Sequence, residues 1–147
     1  MSEAFSGTTA IQANQRFDEA ALARWFAAHV DERARASFHV AQFKGGQSNP
    51  TFLVQAGSAR YVVRRKPSGV LLPSAHAVER EFRVMKALAE TDVPVPRVHA
   101  LCEDPEVIGT AFYAMDFVDG RILWDPKLPD LDPAQRRLLC DGMNRVL

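Results

Sequence analysis

Gly45-Gly46-Gln47-Ser48-Asn49-Pro50, then Thr51-Phe52-Leu53-Val54-Gln55-Ala56, Gly57-Ser58 and Tyr61-Val62-Val63-Arg64, decide how the chain reads. A glycine-rich turn leads into a β-hairpin and then into a strand that ends in a cation. With no Cβ in the way, backbone N–H groups of the turn can approach an anion closely, and a side-chain cation can neutralise what they leave uncompensated. The stretch therefore predicts a polyanion site, read here as one for the phosphates of ATP.

Outward from that stretch, the flanks supply the rest of a sheet. Residues 37–43 alternate, with Phe38, Val40 and Gln42 on one face and His39, Ala41 and Phe43 on the other, and run straight into the glycines. Before them, Phe17, Ala21, Leu22, Trp25, Phe26 and Val30 recur at helical spacing over residues 17 to about 32. Asp18 and Glu19 fall in the first turn of that helix, where its dipole favours acids. The first dozen residues are small and polar and predict a loose tail.

Downstream, Pro67, Gly69 and Pro73 break the strand pattern, and Ser74 is the expected N-cap of a helix over residues 75 to about 90. On a helical wheel Val78, Phe82, Met85 and Leu88 make one apolar stripe; Glu81 falls inside it and Glu79 points to the opposite side. A carboxylate on a buried face needs a partner. Asp92-Val93-Pro94-Val95-Pro96 closes the helix, and residues 97–101 read as a strand. Asp104-Pro105 and Gly109 bracket a turn, residues 111–118 form a last strand ended by Asp119-Gly120, and Pro126, Pro129 and Pro133 outline a linker before a final helix.

Composition narrows the function classes. The 147 residues fit about one domain, and 18 Lys and Arg balance 18 Asp and Glu, so no global field argues for nucleic acid or an anionic membrane. No run is long enough to span a bilayer and the start lacks a secretory signal, which predicts a cytoplasmic protein. Cys102 and Cys140 lack disulfide or zinc spacing, and His29, His39, His76 and His99 lack metal or triad spacing, so no metal site is expected in the chain itself. There is no internal repeat.

Four segments together resemble the small N-terminal lobe of the protein-kinase-like fold. They are Gly45-Gly46-Gln47-Ser48-Asn49, Tyr61-Val62-Val63-Arg64-Arg65-Lys66-Pro67, residues 72–82, and Ile108-Gly109-Thr110-Ala111-Phe112-Tyr113-Ala114-Met115. Within that fold they are similar to the aminoglycoside phosphotransferase family, and most of all to the kinase-like domain associated with acyl-CoA dehydrogenases. The likeness covers roughly residues 37 to 130. It implies an α+β fold, with an antiparallel five-stranded sheet, one packed helix, an N-terminal helix and the start of a large-lobe helix. The expected divisions are 1–36 for tail and helix, 37–118 for the lobe, and 119–147 for the hinge linker and first large-lobe helix.

By this resemblance the kinase pattern Val-Ala-Ile-Lys falls on Tyr61-Val62-Val63-Arg64, with Arg64 in place of lysine. Val62 and Arg64 share a strand face, so one can roof an adenine while the other reaches its phosphates; Arg65 faces the other side. Glu81 matches the helix acid that holds the cation, in agreement with its inward place on the wheel. Met115 corresponds to the gatekeeper, with the Asp116 carbonyl and Val118 amide at the base edge. Gly45, Gly46, Gln47, Ser48 and Asn49 form the phosphate loop, although it departs from Gly-x-Gly-x-x-Gly.

Each feature also has a plainer reading. Gly45-Gly46 can be an ordinary hairpin turn, Arg64 one cation of a solvated strand end, Glu81 a stripe-edge acid reaching water, and Met115 simple core. The first three of these, as coincidences in the right order, are less economical than one site. Phosphoryl transfer in this fold also takes an Asp and Asn from a His-x-Asp-x-x-x-x-Asn loop and a further magnesium-binding acid. The partial match His29-Val30-Asp31 lies before the lobe and has Ala36 where Asn should stand. The expectation is thus an ATP-binding lobe of a small-molecule phosphotransferase with no catalytic residue of its own. Mg2+ ligands would come from a large lobe, and the acceptor would be a hydroxyl substrate such as a hydroxyacyl-CoA. Surface left apolar by a missing lobe would favour self-association. The alternative is a non-catalytic kinase-like interaction module.

Overall fold

The computed structural model describes residues 7–45, 48–70, 72, 75–123 and 125–146. Six strands, β1 (Thr8–Thr9), β2 (Phe38–Phe43), β3 (Thr51–Ala56), β4 (Ala59–Arg65), β5 (Val98–Cys102) and β6 (Phe112–Asp116), pair antiparallel in the order β1-β2-β3-β4-β6-β5. β2, β3 and β4 form the meander that their alternation predicts, with Val40 opposite Val54 and Leu53 opposite Val62. The tight β3–β4 turn depends on Gly57 at φ +58°, where an added Cβ would also press on Arg33.

The sheet has one strand more than expected. Thr8 and Thr9 pair with Phe43 and Gln42, and Lys44 N donates to Gly7 O, so part of the tail is held by main-chain bonds at the sheet edge. Two residues carry no side-chain period, which is why the sequence pattern did not reveal them. At the other edge Asp104 caps a one-turn helix, α3 (Pro105–Ile108), where a simple turn was expected, and Gly109 closes it at φ +89°.

α1 (Glu19–His29) is shorter than its apolar pattern: Asp18 caps its start, its side chain accepting from Ala21 N at 2.9 Å, and beyond its end Asp31 caps a separate short turn over Glu32–Arg35. The helix packs on one sheet face. Leu22 and Phe26 are fully buried with Phe52, Val54, Val63 and Ala114, and the Phe26 ring meets Tyr61 edge-on at 5.2 Å. Apolar burial on this scale, about 1.5–3 kcal/mol per large side chain, is the main stabilising term of such a core.

Arg65 lies inside that core, only 1% exposed. Its guanidinium donates to Gln15 O and Oε1 (2.9 Å each) and Ile108 O (3.3 Å), and lies near the Phe17 and Phe52 rings. Burial pushes its pKa down from the usual arginine value, yet a guanidinium stays charged. A second polar anchor joins Asp31 to β4: the Asp31 carboxylate accepts from Tyr61 Oη at 2.7 Å and from Arg33 Nη2 at 2.6 Å. The Arg33 hydrogen bond, helped by Tyr61 and opposed by burial, holds the Asp31 carboxyl well below the usual carboxylate range.

α2 (Val78–Leu88) covers the opposite face near β5 and β6. It begins at Ala77, which supplies no side-chain cap; the expected cap Ser74 lies outside the described residues. α4 (Pro133–Asn144) opens with a capping box between Asp132 and Gln135 and buries no residue. Among the described residues no helix is long and apolar enough to cross a membrane.

Candidate nucleotide site

The face of the sheet away from α1 carries the alternate residues. Register sets Val62 opposite Met115 and Arg64 opposite Tyr113, so these four side chains share one face by the twofold period of a strand. Val62 is 7% exposed and Met115 half-buried. Arg64 stands near the end of β4, and Arg64 Nε lies 2.9 Å from Glu81 Oε2 on α2. The contact is an ion pair without an aligned hydrogen bond: Nε is buried and has no hydrogen-bond partner among the described residues. About a third of each side chain is still exposed.

Glu81 is held from three sides. Tyr113 Oη donates to Glu81 Oε2 at 3.0 Å, and Asn49 Nδ2 donates to Glu81 Oε1 at 3.0 Å. Burial first, and the Glu81 charge second, raise the Tyr113 phenol well above its usual value, so it remains a donor. Asn49 Oδ1 lies 3.0 Å from His76 Nδ1. A carboxylate only accepts, so the Asn49 amide must turn its NH2 toward Glu81 and its oxygen toward His76, which then donates through Nδ1.

A parallel ion pair stands beside this one. Lys66 Nζ meets Glu79 Oε1, which corrects the outward direction that the wheel assigns to Glu79. Helix α2 starts three residues later than expected, so Glu79 sits in its first turn, within reach of the chain leaving β4. Burial works to raise the Glu79 carboxyl but is outweighed by the Lys66 hydrogen bond and charge, so it lies below its ordinary value.

The other expected site residues are distributed as follows. Gly45 is half-buried after β2 and Ser48 is exposed, while Gly46 and Gln47 lie outside the described residues. Asn49, read with the phosphate loop, is 3% exposed, and its side chain is committed to Glu81 and His76. Asp116 ends β6, two residues before the expected strand end; its carboxylate meets His99 Nε2 at 2.6 Å and its N donates to Arg97 O. Val118 is exposed. Tyr113, Asn49 in its bridging role, His76 and the Lys66–Glu79 pair were not singled out from sequence. Tyr113 alone had a legible signal, since it lies two residues before Met115 on the same strand face.

Two shallow depressions, of about 400 and 300 Å3, lie beside Ala10, Arg16 and Val40, and beside Leu123 and Leu138; neither includes Arg64 or Glu81. The described residues thus offer one wall around Arg64 rather than an enclosed pocket. This wall suits a phosphate-bearing ligand, because Glu81 holds the Arg64 guanidinium in place while about a third of its side chain stays exposed to meet an anion. Among the described residues no group of three His, Cys, Asp or Glu that could hold a metal ion converges.

The model of the phosphotransferase enzyme family matches residues 39–147. The chain is 54% identical over 146 residues to the Arabidopsis thaliana protein named "Probable acyl-CoA dehydrogenase IBR3", covering 95% of this chain and 18% of that protein. It is 44% identical over 140 residues to acyl-CoA dehydrogenase family member 10 of Mus musculus, covering 95% of this chain and 13% of that protein. A crystal structure from Ralstonia eutropha, described as an aminoglycoside phosphotransferase, superposes with a TM-score of 0.73 at 52% identity, covering 89% of this chain and 37% of that one. The chain therefore spans less than a fifth of the curated relatives it matches.

Proposed function

The chain belongs to the phosphotransferase enzyme family, and from that premise we propose that residues 37–118 are the ATP-binding lobe of a small-molecule kinase. Residues 119–147 are then the hinge linker and the first helix of a large lobe. The observation that carries the reading is Arg64, a half-buried cation near the end of β4, in the hairpin that follows the glycine-rich turn, held by Glu81 on α2 with about a third of its side chain still exposed. In this reading Arg64 and Glu81 set the α- and β-phosphates. Val62 and Met115 receive the adenine ring, the main chain from Asp116 to Val118 meets its edge, and the 45–49 loop covers the phosphates.

ATP supplies the phosphoryl group; these residues bind and orient it. The catalytic aspartate and the Mg2+ ligands would belong to a large lobe, since the 147 residues hold no His-x-Asp-x-x-x-x-Asn sequence. Kinship with proteins named as acyl-CoA dehydrogenases favours a hydroxyacyl-CoA or related metabolite as the hydroxyl acceptor, and a cytoplasmic setting suits that substrate.

Calorimetric titration of the chain with Mg-ATP and with adenosine tests the reading. The expected result is measurable ATP affinity that Arg64→Ala weakens far more than adenosine affinity. Absence of affinity for either would defeat it and leave a kinase-like interaction module in its place.

A further inference from the structure

We propose that Asn49 is a positioning residue that latches the end of the glycine-rich loop to helix α2 and aims the Glu81 carboxylate at Arg64. The proposal rests on the reading of Arg64 as a phosphate-binding cation. The side chain of Asn49 is 3% exposed, so it is not displayed to a ligand in solution. Both ends of its amide are engaged, Nδ2 with Glu81 Oε1 and Oδ1 with His76 Nδ1.

The consequence for Glu81 is geometric. A glutamate carboxylate free to rotate about its last bond would present either oxygen to Arg64, or neither. Asn49 takes Oε1 and Tyr113 shares Oε2, so the plane of the carboxylate has two fixed points and Oε2 faces Arg64 Nε. His76 fixes the amide in turn. It stands at φ +56°, a left-handed conformation uncommon for a non-glycine residue, in the segment leading into α2. The loop end, the helix and the cation-bearing strand are thus tied through one amide. A change in the loop end thus reaches Arg64 through Glu81, beside the main-chain pairing of Thr51 with Arg64.

The test uses the full chain and its Asn49→Ala, Glu81→Gln and double variants, with two readouts. One is affinity for Mg-ATP and for adenosine. The other is the 1H–15N signal of Arg64 Nε, whose N–H is buried and therefore protected from fast exchange. Asn49→Ala is expected to move the Arg64 Nε signal and weaken ATP by about tenfold, the worth of one hydrogen bond to a charged group. Adenosine affinity is expected to stay within about twofold. In the Glu81→Gln background, Asn49→Ala should then add nothing to the loss of ATP affinity.

An Nε signal unmoved by Asn49→Ala, or an ATP loss that simply adds to that of Glu81→Gln, overturns the proposal. Equal weakening of ATP and adenosine also overturns it, because that is general loosening. If the unsubstituted chain binds no ATP, the nucleotide reading fails separately, and the Nε signal alone decides whether Asn49 positions the pair.

Discussion

Arg64 Nε and Glu81 Oε2 lie 2.9 Å apart, on a strand and a helix that meet on one sheet face, and Nε has no aligned acceptor. Their contact orders the guanidinium while about a third of the Arg64 side chain stays exposed. The cation is thereby placed before any ligand arrives, which lowers the entropy cost of binding an anion there.

Substitution of that cation should separate charge from shape. Arg64→Ala is expected to weaken Mg-ATP by at least about tenfold, as loss of a charge-assisted contact does. Arg64→Lys should recover part of the loss, because it restores the charge without the planar fork. Calorimetry on both variants, with circular dichroism to verify folding, reads the difference; equal loss in the two would mean that charge alone is insufficient.

Tyr113→Phe removes one hydroxyl and keeps the ring, which packs against Phe82 with centroids 6.0 Å apart. The Glu81 carboxylate loses a donor at a buried edge, and the expected cost is about 1–2 kcal/mol of folding stability. Urea unfolding should show a lower midpoint with an unchanged slope.

Acid should destabilise the fold through Asp31 and Glu79. Both carboxyls lie below their ordinary values of 3.8 and 4.5 in the folded chain. The unfolded chain therefore binds protons at higher pH than the folded one. Their stabilisation is complete above those ordinary values and is lost as pH falls through them toward the lower folded values. Urea midpoints measured from neutrality down to about pH 3 should fall steeply, and less steeply in Asp31→Asn.

Arg65→Ala should cost about 3 kcal/mol or more, because it leaves the Ile108 and Gln15 carbonyls without their donor and opens space beside Phe17 and Phe52. Arg65→Met refills the volume and should be less damaging. Thermal melts of the two variants check the order; a Met variant as unstable as Ala would mean that the donor bonds, rather than the packing, dominate.

Local pattern determined a good deal by itself. Alternation across Phe38 to Phe43 and Tyr61 to Arg65 is a property of neighbours along the chain, so strand faces and the split between Arg64 and Arg65 follow from it without tertiary knowledge. The helical period likewise placed Glu81 on the inner side of α2, toward Arg64. What the fold alone decided are meetings between residues far apart in sequence: Asn49 with Glu81, Tyr113 with Glu81, Lys66 with Glu79, and Thr8–Thr9 on the edge of β2. A hydrogen bond depends on distance and angle to a particular acceptor, and no period encodes which distant acceptor will arrive. The sheet and α2 had to close first for the polar side chains of this site to find one another.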